Sequence, residues 1–200
     1  MVSEIIMDTK KLLPILLAPF LLIGCAHKIN LTPPLNTLDI KNLETISKNV
    51  GYYISAEDKA KEVTTPGGGG DKVKYTTYSD LEPALRHALD NIFDDVHALP
   101  APDDAEFLSQ NKISYVFTPS FETDSSSTSF VTWPPTDFTI IMTCTATDPA
   151  GNSVWESTIK GRAIAAFSEF NNDFSLAARR AAKDIFIRFE NEIIKSDAFK

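Results

Sequence analysis

Strict alternation of apolar and polar residues over two adjacent stretches constrains this chain more than any other feature. The apolar positions of the first stretch, 138–147, are Phe138, Ile140, Met142, Cys144 and Ala146, with mostly threonine between them. Those of the second, 154–167, are Trp155, Ile159, Ala163, Ala165 and Phe167. The intervening residues 148–152, Asp-Pro-Ala-Gly-Asn, are typical of a turn. A period of two is the signature of β-strands, so the pattern predicts a β-hairpin.

Two other stretches have the period of an α-helix. The first helix is predicted to begin at Ser79, whose spacing to Glu82 is that of a capping box, and to end before Pro100. The second is predicted to begin at Asn172 or Asp173. Their apolar stripes are Leu81, Leu85, Ala88, Leu89, Ile92, Phe93 and Val96, and Phe174, Ala178, Ala181, Ala182, Ile185, Phe189 and Ile193.

Further strands are predicted at 50–54 and 113–118, so strands and helices occur in the order strand, helix, strands, helix. This order predicts an α+β fold: a two-layer sandwich of a mainly antiparallel sheet of about four strands, with two helices packed on one face. The threonine-rich opposite face is expected to meet solvent. Four glycines at 67–70 precede a strand-like stretch and no helix, so they predict a loop and not a phosphate-binding turn.

The first 24 residues predict a secretory leader. Lys10 and Lys11 precede an apolar run from Leu12 to Ile23. That run is too short to span a bilayer, which takes about 20 residues of helix. Either Met1 or Met7 is compatible with the start of such a leader.

The leader ends in Leu22-Ile23-Gly24-Cys25, which resembles the lipobox of bacterial lipoproteins. The resemblance implies cleavage after Gly24, a diacylglyceryl group on the Cys25 thiol, and a fatty acyl chain such as palmitate on the new N-terminus. It also implies transport to the outer membrane, because residue 26 is Ala and not Asp. The alternative is an ordinary signal peptide with a chance cysteine.

These features divide the chain into a leader (1–24), a lipid anchor and tether (25–49), and a single α+β periplasmic domain (50–200). The tether is predicted from Pro33, Pro34 and the absence of a clear period. The alternative for this segment is a short strand near 38–40 that docks on the domain.

Candidate chemistry is sparse. A net charge of −8, from 19 basic and 27 acidic residues, argues against nucleic acid as a partner. Cys144 is expected to be buried and unreactive. His87 and His97 are expected on one helix, ten residues apart, which is not the spacing of a metal-binding pair. With no nucleophile and base, metal site or cofactor loop in evidence, the sequence predicts a protein that is not an enzyme and has no cofactor.

The segment 124–137 joins two predicted strands and is too long for a tight hairpin turn. Its candidate partner-binding residues are Phe130, Val131, Trp133, Pro134 and Pro135. Aromatic residues on a polar, proline-stiffened loop are common in partner contacts. The alternative is that Trp133 folds back and caps the sheet, or that the serine run extends the strands.

A lipobox followed by strand, helix, hairpin and closing helix resembles small outer-membrane lipoproteins of the YajG-like kind. More distantly, it is similar to the lipoprotein partner of the lipopolysaccharide-transport translocon. The resemblance implies a periplasm-facing location at the outer membrane and a non-enzymatic role. The expected function is a lipid-anchored binding or assembly module that docks an envelope protein through 124–137 or an exposed sheet edge. The alternative is binding of a small glycan or lipid on the sheet face, which a deep apolar pocket would favour.

Overall fold

The computed structural model describes residues 26–40, 45–66, 72–125, 137–170 and 172–200, in which two sheets and five α-helices form a mixed α+β structure. The strands are β1 (Ala26–Lys28), β2 (Ile46–Tyr52), β3 (Val63–Pro66), β4 (Lys72–Tyr75), β5 (Phe93–Ala98), β6 (Ile113–Asp124), β7 (Asp137–Thr147) and β8 (Ser153–Ile164). The α-helices are α1 (Ala56–Ala60), α2 (Thr77–Asp90), α3 (Ala105–Gln110), α4 (Phe167–Phe170) and α5 (Leu176–Lys195). Short 3-10 helices lie at Leu35–Thr37 and Asp197–Phe199. The predicted α+β class is confirmed.

The main sheet has five strands in the order β5-β2-β6-β7-β8. The predicted hairpin is confirmed, and Phe138 of β7 pairs with Ala163 of β8. The predicted extension of the second strand to Phe167 is wrong, because β8 ends at Ile164 and Phe167 begins α4. The prediction of about four mainly antiparallel strands is wrong, because β2 pairs in parallel with β5 on one side and β6 on the other. Parallel neighbours need a long crossover connection, so the sequence near one strand carries no signal for its partner.

The first predicted helix is too long, since α2 ends at Asp90 and the next six-residue strand, β5, begins at Phe93. Phe93 and Val96 are buried on the sheet. Their spacing of three also suits a helix, so periodicity by itself did not separate the two structures. His87 and His97 therefore lie on different elements, a helix and a strand, and the prediction of one shared helix is wrong.

The predicted capping box is also wrong, because α2 begins at Thr77 and Ser79 lies inside it. The Ser79 hydroxyl donates to the carbonyl oxygen of Lys59 at 2.7 Å. Glu82 binds Lys59 Nζ at 2.7 Å and accepts from the Tyr52 hydroxyl at 3.1 Å. Both polar side chains thus tie α2 to neighbouring elements and do not cap its first turn.

The helices α2 and α5 pack against each other and share one core with the sheet. Close contact is possible because α5 presents alanines, including the fully buried Ala181 and Ala182. Near the C-terminus, the ring of Phe199 packs 5.6 Å from that of Phe117 and 5.8 Å from that of Phe93. The placement of two helices on one face is therefore as predicted.

The opposite face of the main sheet is only partly open. The short helix α3, which the sequence did not predict, covers the end of the sheet near Ile113 and Val116. Its Leu108 and the neighbouring Leu99 complete a second, smaller core there. No described helix covers the threonine-rich part on β7 and β8, where Thr143 and Thr158 hydrogen-bond to each other at 2.9 Å.

The second sheet has three strands in the order β1-β4-β3, and β1 pairs in parallel with β4. Beyond β1, Ile29, Leu31 and Leu38 are buried in the main core. The Thr32 hydroxyl donates to the carbonyl oxygen of Asp80 at 2.6 Å. The tether predicted for 25–49 is therefore wrong over 26–40. The apolar residues of this segment are too few to show a period, yet they are buried in the main core, and Thr32 binds a residue 48 positions further along the chain.

Cys144 is fully buried on β7, as predicted, and desolvation by burial raises the pKa of its thiol. A thiol that stays protonated is a poor nucleophile. We therefore expect maleimide to label Cys144 slowly in the folded chain and rapidly after denaturation in urea, as measured by mass spectrometry. Rapid labelling of the folded chain would contradict this placement in the core.

Candidate functional site

All of the residues predicted to carry function lie outside the described residues. This applies to Cys25, the first residue after the predicted leader, and to Phe130, Val131, Trp133, Pro134 and Pro135 in the long loop. The described structure places the two ends of that loop, because β6 ends at Asp124 and β7 begins at Asp137. The loop therefore starts from a strand six residues longer than the stretch 113–118 predicted from the sequence.

A cleft lies beside the end of β6 from which this loop departs. It is lined by Lys61, Val63, Thr77, Tyr78, Phe121, Glu122 and Thr123. The cleft exists because β2 ends at Tyr52, opposite Phe117, while β6 continues for seven more residues. Beyond Phe117, the side of β6 that faced β2 has no neighbouring strand in the main sheet.

Two features terminate strand pairing on that side of β6. Pro119 has no N–H, which is tolerated because β2 no longer lies opposite. The next backbone donor on the same side, Phe121 N–H, is bound by the hydroxyl of Tyr78 at 3.3 Å. The Tyr78 ring also packs edge-on against Phe121, with ring centroids 5.2 Å apart. The base of the cleft is thus aromatic and its backbone donor is satisfied.

The small sheet holds the far end of β6 in place. The hydroxyls of Tyr75 and Thr123 hydrogen-bond at 2.8 Å. The buried hydroxyl of Ser125 contacts that of Thr65 on β3. These hydrogen bonds join β3 and β4 to the last described residues before the loop. The start of the loop is therefore held in place beside the cleft.

The cleft has a volume of about 290 Å³. This is at the lower end of the range of about 300–1,000 Å³ that is usual for small-molecule sites. An apolar floor of Val63 and Phe121, with Lys61 and Glu122 at the rim, suits a single apolar side chain of a partner protein. None of these residues was singled out from the sequence. The only feature of the sequence that could have pointed to them is the position of Phe121 shortly before the predicted loop.

A buried polar cluster joins α2, α5 and the segment after β1. Glu190 on α5 is only 1% exposed, and its Oε1 accepts from Asn91 Nδ2 at 2.7 Å. The same Asn91 amide donates to the carbonyl oxygen of Leu38 at 3.1 Å. Nearby, His87 Nε2 lies 2.7 Å from an Asp39 carboxylate oxygen. Desolvation by burial raises the pKa of Glu190 from 4.5 to about 7, which the Asn91 hydrogen bond only partly opposes.

This raised pKa predicts a pH-dependent effect of replacing Glu190. The folded chain holds the Glu190 proton more tightly than the unfolded chain, so the resulting stability is complete below pH 4.5 and is lost as the pH rises through about 7. We expect Glu190→Gln to raise the free energy of unfolding by about 2–3 kcal/mol at about pH 8, and to change it little at about pH 4.5. Urea unfolding of both chains at the two pH values measures this difference.

The exposed neighbour Glu192 supplies the control, because Glu192→Gln removes the same charge from the same helix without desolvation. Its stability should follow that of the parent chain at both pH values. A Glu190→Gln chain that is no more stable than the parent at high pH would show that burial of this carboxylate costs little.

The small sheet carries a basic face. Lys28, Lys72 and Lys74 occupy paired positions of β1 and β4, so their side chains lie on the same side. The other side, with Val73 and Tyr75, is buried in the core. Glu62 offsets part of this charge through an ion pair with Lys74 at 3.1 Å. Lys28 lies three residues after Cys25 in the sequence.

Within the described ranges, no three His, Cys, Asp or Glu side chains come together as a metal-binding group. The ring of His27 stacks on that of Phe174, with centroids 4.7 Å apart. His97 Nε2 lies 3.0 Å from an Asp95 carboxylate oxygen on the same strand. None of the helices in the described part of the chain has the length and hydropathy needed to span a bilayer.

Comparison with solved structures finds eight chains of similar fold, two of which show the level of similarity. One is the crystal structure of a Xanthomonas campestris protein of the DUF330 family, with a TM-score of 0.47 and 12% identity, covering 86% of this chain and 91% of that one. The other is a minor lipoprotein from Acinetobacter baumannii, with a TM-score of 0.45 and 13% identity, covering 74% of this chain and 93% of that one. No protein-family model and no curated protein matches the sequence. At these levels of similarity neither neighbour assigns a function, and the resemblance to YajG-like lipoproteins stays a prediction.

Proposed function

We propose that this chain is a lipid-anchored protein of the bacterial envelope that binds a protein partner at the cleft and through residues of the segment 126–136. The observation that carries the proposal is the position of the cleft. A pocket the size of one side chain lies beside the strand end from which a loop with Trp133 departs. Large aromatic residues next to a small apolar pocket are a common arrangement at the centre of protein interfaces.

The anchored location is supported by the lipobox-like residues before Cys25 and by the basic face of β1 and β4. Acyl chains on Cys25 would leave only one peptide bond between the lipid and β1, which begins at Ala26. The domain would then sit directly on the bilayer surface without a flexible tether. Lys28, Lys72 and Lys74 would face anionic headgroups, at about 1 kcal/mol for each lysine near the surface. Ala26 in place of Asp favours the outer membrane as the location.

The alternative, a small glycan or lipid ligand on the sheet face, finds less support. Side chains such as Phe117, Ile185 and Phe189 are fully buried in the core between the sheet and the helices. The groove of about 620 Å³ between β8 and α5 is lined mainly by polar and charged residues such as Lys160, Arg188 and Glu192. A ligand site of that kind is normally concave and mostly apolar. The cleft beside β6 is large enough for one side chain but not for a lipid tail.

Photo-cross-linking in intact cells tests the docking surface. A photoreactive amino acid in place of Glu122, at the rim of the cleft, is expected to give a discrete cross-linked protein that mass spectrometry can identify. The matched control is Glu106 on α3, an exposed glutamate near the opposite end of β6. Cross-linking of equal strength at both positions, or at neither, would contradict docking at the cleft.

Replacing Trp133 with Ala separates a binding role from a structural one. If Trp133 contacts the partner, Trp133→Ala should weaken binding by about 2 kcal/mol or more and abolish the cross-link at position 122. Its effect on the free energy of unfolding should stay within about 0.5 kcal/mol. If Trp133 caps the sheet instead, unfolding should become easier by about 3–5 kcal/mol. Thermal melts of the two chains distinguish these results without any knowledge of the partner.

A further inference from the structure

The strand β8 forms one edge of the main sheet and is 12 residues long. Its inner side pairs with β7, while no described strand lies on its outer side. A long edge with unpaired backbone groups is a template for another strand, and proteins normally shorten or cover such edges. The groups on this edge therefore decide which partner it accepts.

Hydrogen bonding across the sheet identifies the outward-facing residues of β8. Tyr53 N–H donates to the carbonyl oxygen of Phe117 at 3.0 Å, so Phe117 faces β2 and its neighbour Thr118 faces β7. Successive residues of a strand face opposite neighbours, and the register of β6, β7 and β8 then carries this alternation to the edge. The residues of β8 whose N–H and C=O face outward are the even-numbered ones: Val154, Glu156, Thr158, Lys160, Arg162 and Ile164.

One of these outward backbone groups has a partner in the described part of the chain. The carbonyl oxygen of Ile164 accepts from Arg180 Nη1 at 3.2 Å, which agrees with the outward direction of this residue. The groove between β8 and α5 has a volume of about 620 Å³ and is lined by 157–160 on the strand and by Arg188, Asn191, Glu192 and Lys195 on the helix. Over this stretch α5 leaves the outer side of β8 open.

The side chains of the outward-facing residues are complementary to themselves. Val154 and Ile164, the exposed large hydrophobic residues of the described chain, are 36% and 60% exposed and lie at opposite ends of β8. Two antiparallel copies of β8 that place Val154 opposite Ile164 also place Glu156 opposite Arg162 and Thr158 opposite Lys160. Every outward-facing position then has an outward-facing partner in the second copy. The apolar residues at the strand ends face each other, and Glu156 faces Arg162, which has the opposite charge.

We propose that two copies of this chain associate through antiparallel pairing of their β8 strands in this register. The two five-stranded sheets become one continuous sheet of ten strands around a twofold axis. Arg162, which already binds Asp137 with Nε and Oδ1 2.9 Å apart, is held on the solvent face where Glu156 of the second copy arrives. This association requires neither the lipid anchor nor the partner at the cleft.

Sedimentation velocity of the full-length chain in detergent, over a range of concentrations, tests for a dimer. Cysteine cross-linking tests the register, using Val154→Cys and Ile164→Cys as two separate variants. Residues in a hydrogen-bonded antiparallel pair have Cα atoms about 5.5 Å apart, which suits a disulfide. A disulfide-linked dimer is expected when the two variants are mixed, and none beyond the parent background from either variant by itself.

A charge reversal provides the second measurement. Glu156→Arg places two arginines opposite each other and should raise the dimer dissociation constant at least tenfold. Glu106→Arg makes the same change on α3, away from both β8 and the cleft, and should leave it unchanged. A parent chain that stays monomeric at all concentrations would overturn the proposal. So would a dimer without the mixed disulfide, an unaltered dimer of Glu156→Arg, or β8 cross-links to a different protein in cells.

Discussion

Replacing Cys25 with Ala should transfer the chain from the membrane fraction to the soluble fraction. The lipobox-like residues Leu22–Gly24 imply that Cys25 carries the acyl chains, and no helix in the described part of the chain is able to span a bilayer. Each buried CH₂ contributes about 0.8 kcal/mol to membrane affinity, so loss of all acyl chains removes the dominant attraction. The lysines of β1 and β4 would retain only a weak, salt-sensitive attachment. Carbonate washing of membranes followed by immunoblotting measures the distribution.

The other cysteine supplies the control for this experiment. Cys144→Ala removes a thiol from the core and should leave the chain in the membrane fraction. Metabolic labelling with a fatty acid should mark the parent chain and Cys144→Ala but not Cys25→Ala. A Cys25→Ala chain that still sediments with carbonate-washed membranes would show that something other than the acyl chains attaches it.

Gly161→Ala should destabilise the chain by about 2–3 kcal/mol, one of the largest effects expected for adding a single methyl group. A Cβ at position 161 would lie 2.5 Å from Ile185 Cγ2 and 2.6 Å from the carbonyl oxygen of Ala181. The second contact is with the backbone of α5, which has to move away from β8 to relieve it. Thermal unfolding should show a melting temperature lower by about 5–10 °C.

Gly51→Ala is the matched control for the same substitution. A Cβ there would lie 2.0 Å from Leu99 Cδ1, which is the far end of a flexible side chain. Rotation of Leu99 relieves that contact without moving a helix, so the expected loss is about 1 kcal/mol. Equal losses at both positions would mean that the approach of α5 to β8 is not the reason for Gly161.

Gly161 also illustrates how much of the fold a local sequence pattern can predict. Alternation in 138–147 and 154–167 was sufficient to predict β7 and β8. Gly161, where β8 comes closest to α5, lies on the predicted core-facing side of its strand. The residue that it contacts, Ala181, is 20 residues further along the chain. The need for glycine becomes visible only when the helix lies across the strand.

The residues of the candidate site, unlike β7 and β8, could not be predicted from a local sequence pattern. The leader and the aromatic loop were predicted from residue types, and both lie outside the described residues. The cleft is lined by Lys61, Tyr78 and Phe121, which come from three separate segments. No periodicity or motif links these positions. They meet because β6 continues past the end of β2, and that length difference is a property of strand pairing.

The sequence by itself determined the elements whose apolar residues follow one unambiguous period: β7, β8, the core of α2, and α5, with Cys144 on the buried face. Only the tertiary structure decided that Phe93–Ala98 is a strand, that β2 lies between two parallel neighbours, and that 26–40 is packed on the domain. The physical reason is that a local period reports one face of one element. Short strands and irregular segments acquire their structure from partners that lie far away in the chain, and the free energy of those contacts is not encoded in any single stretch.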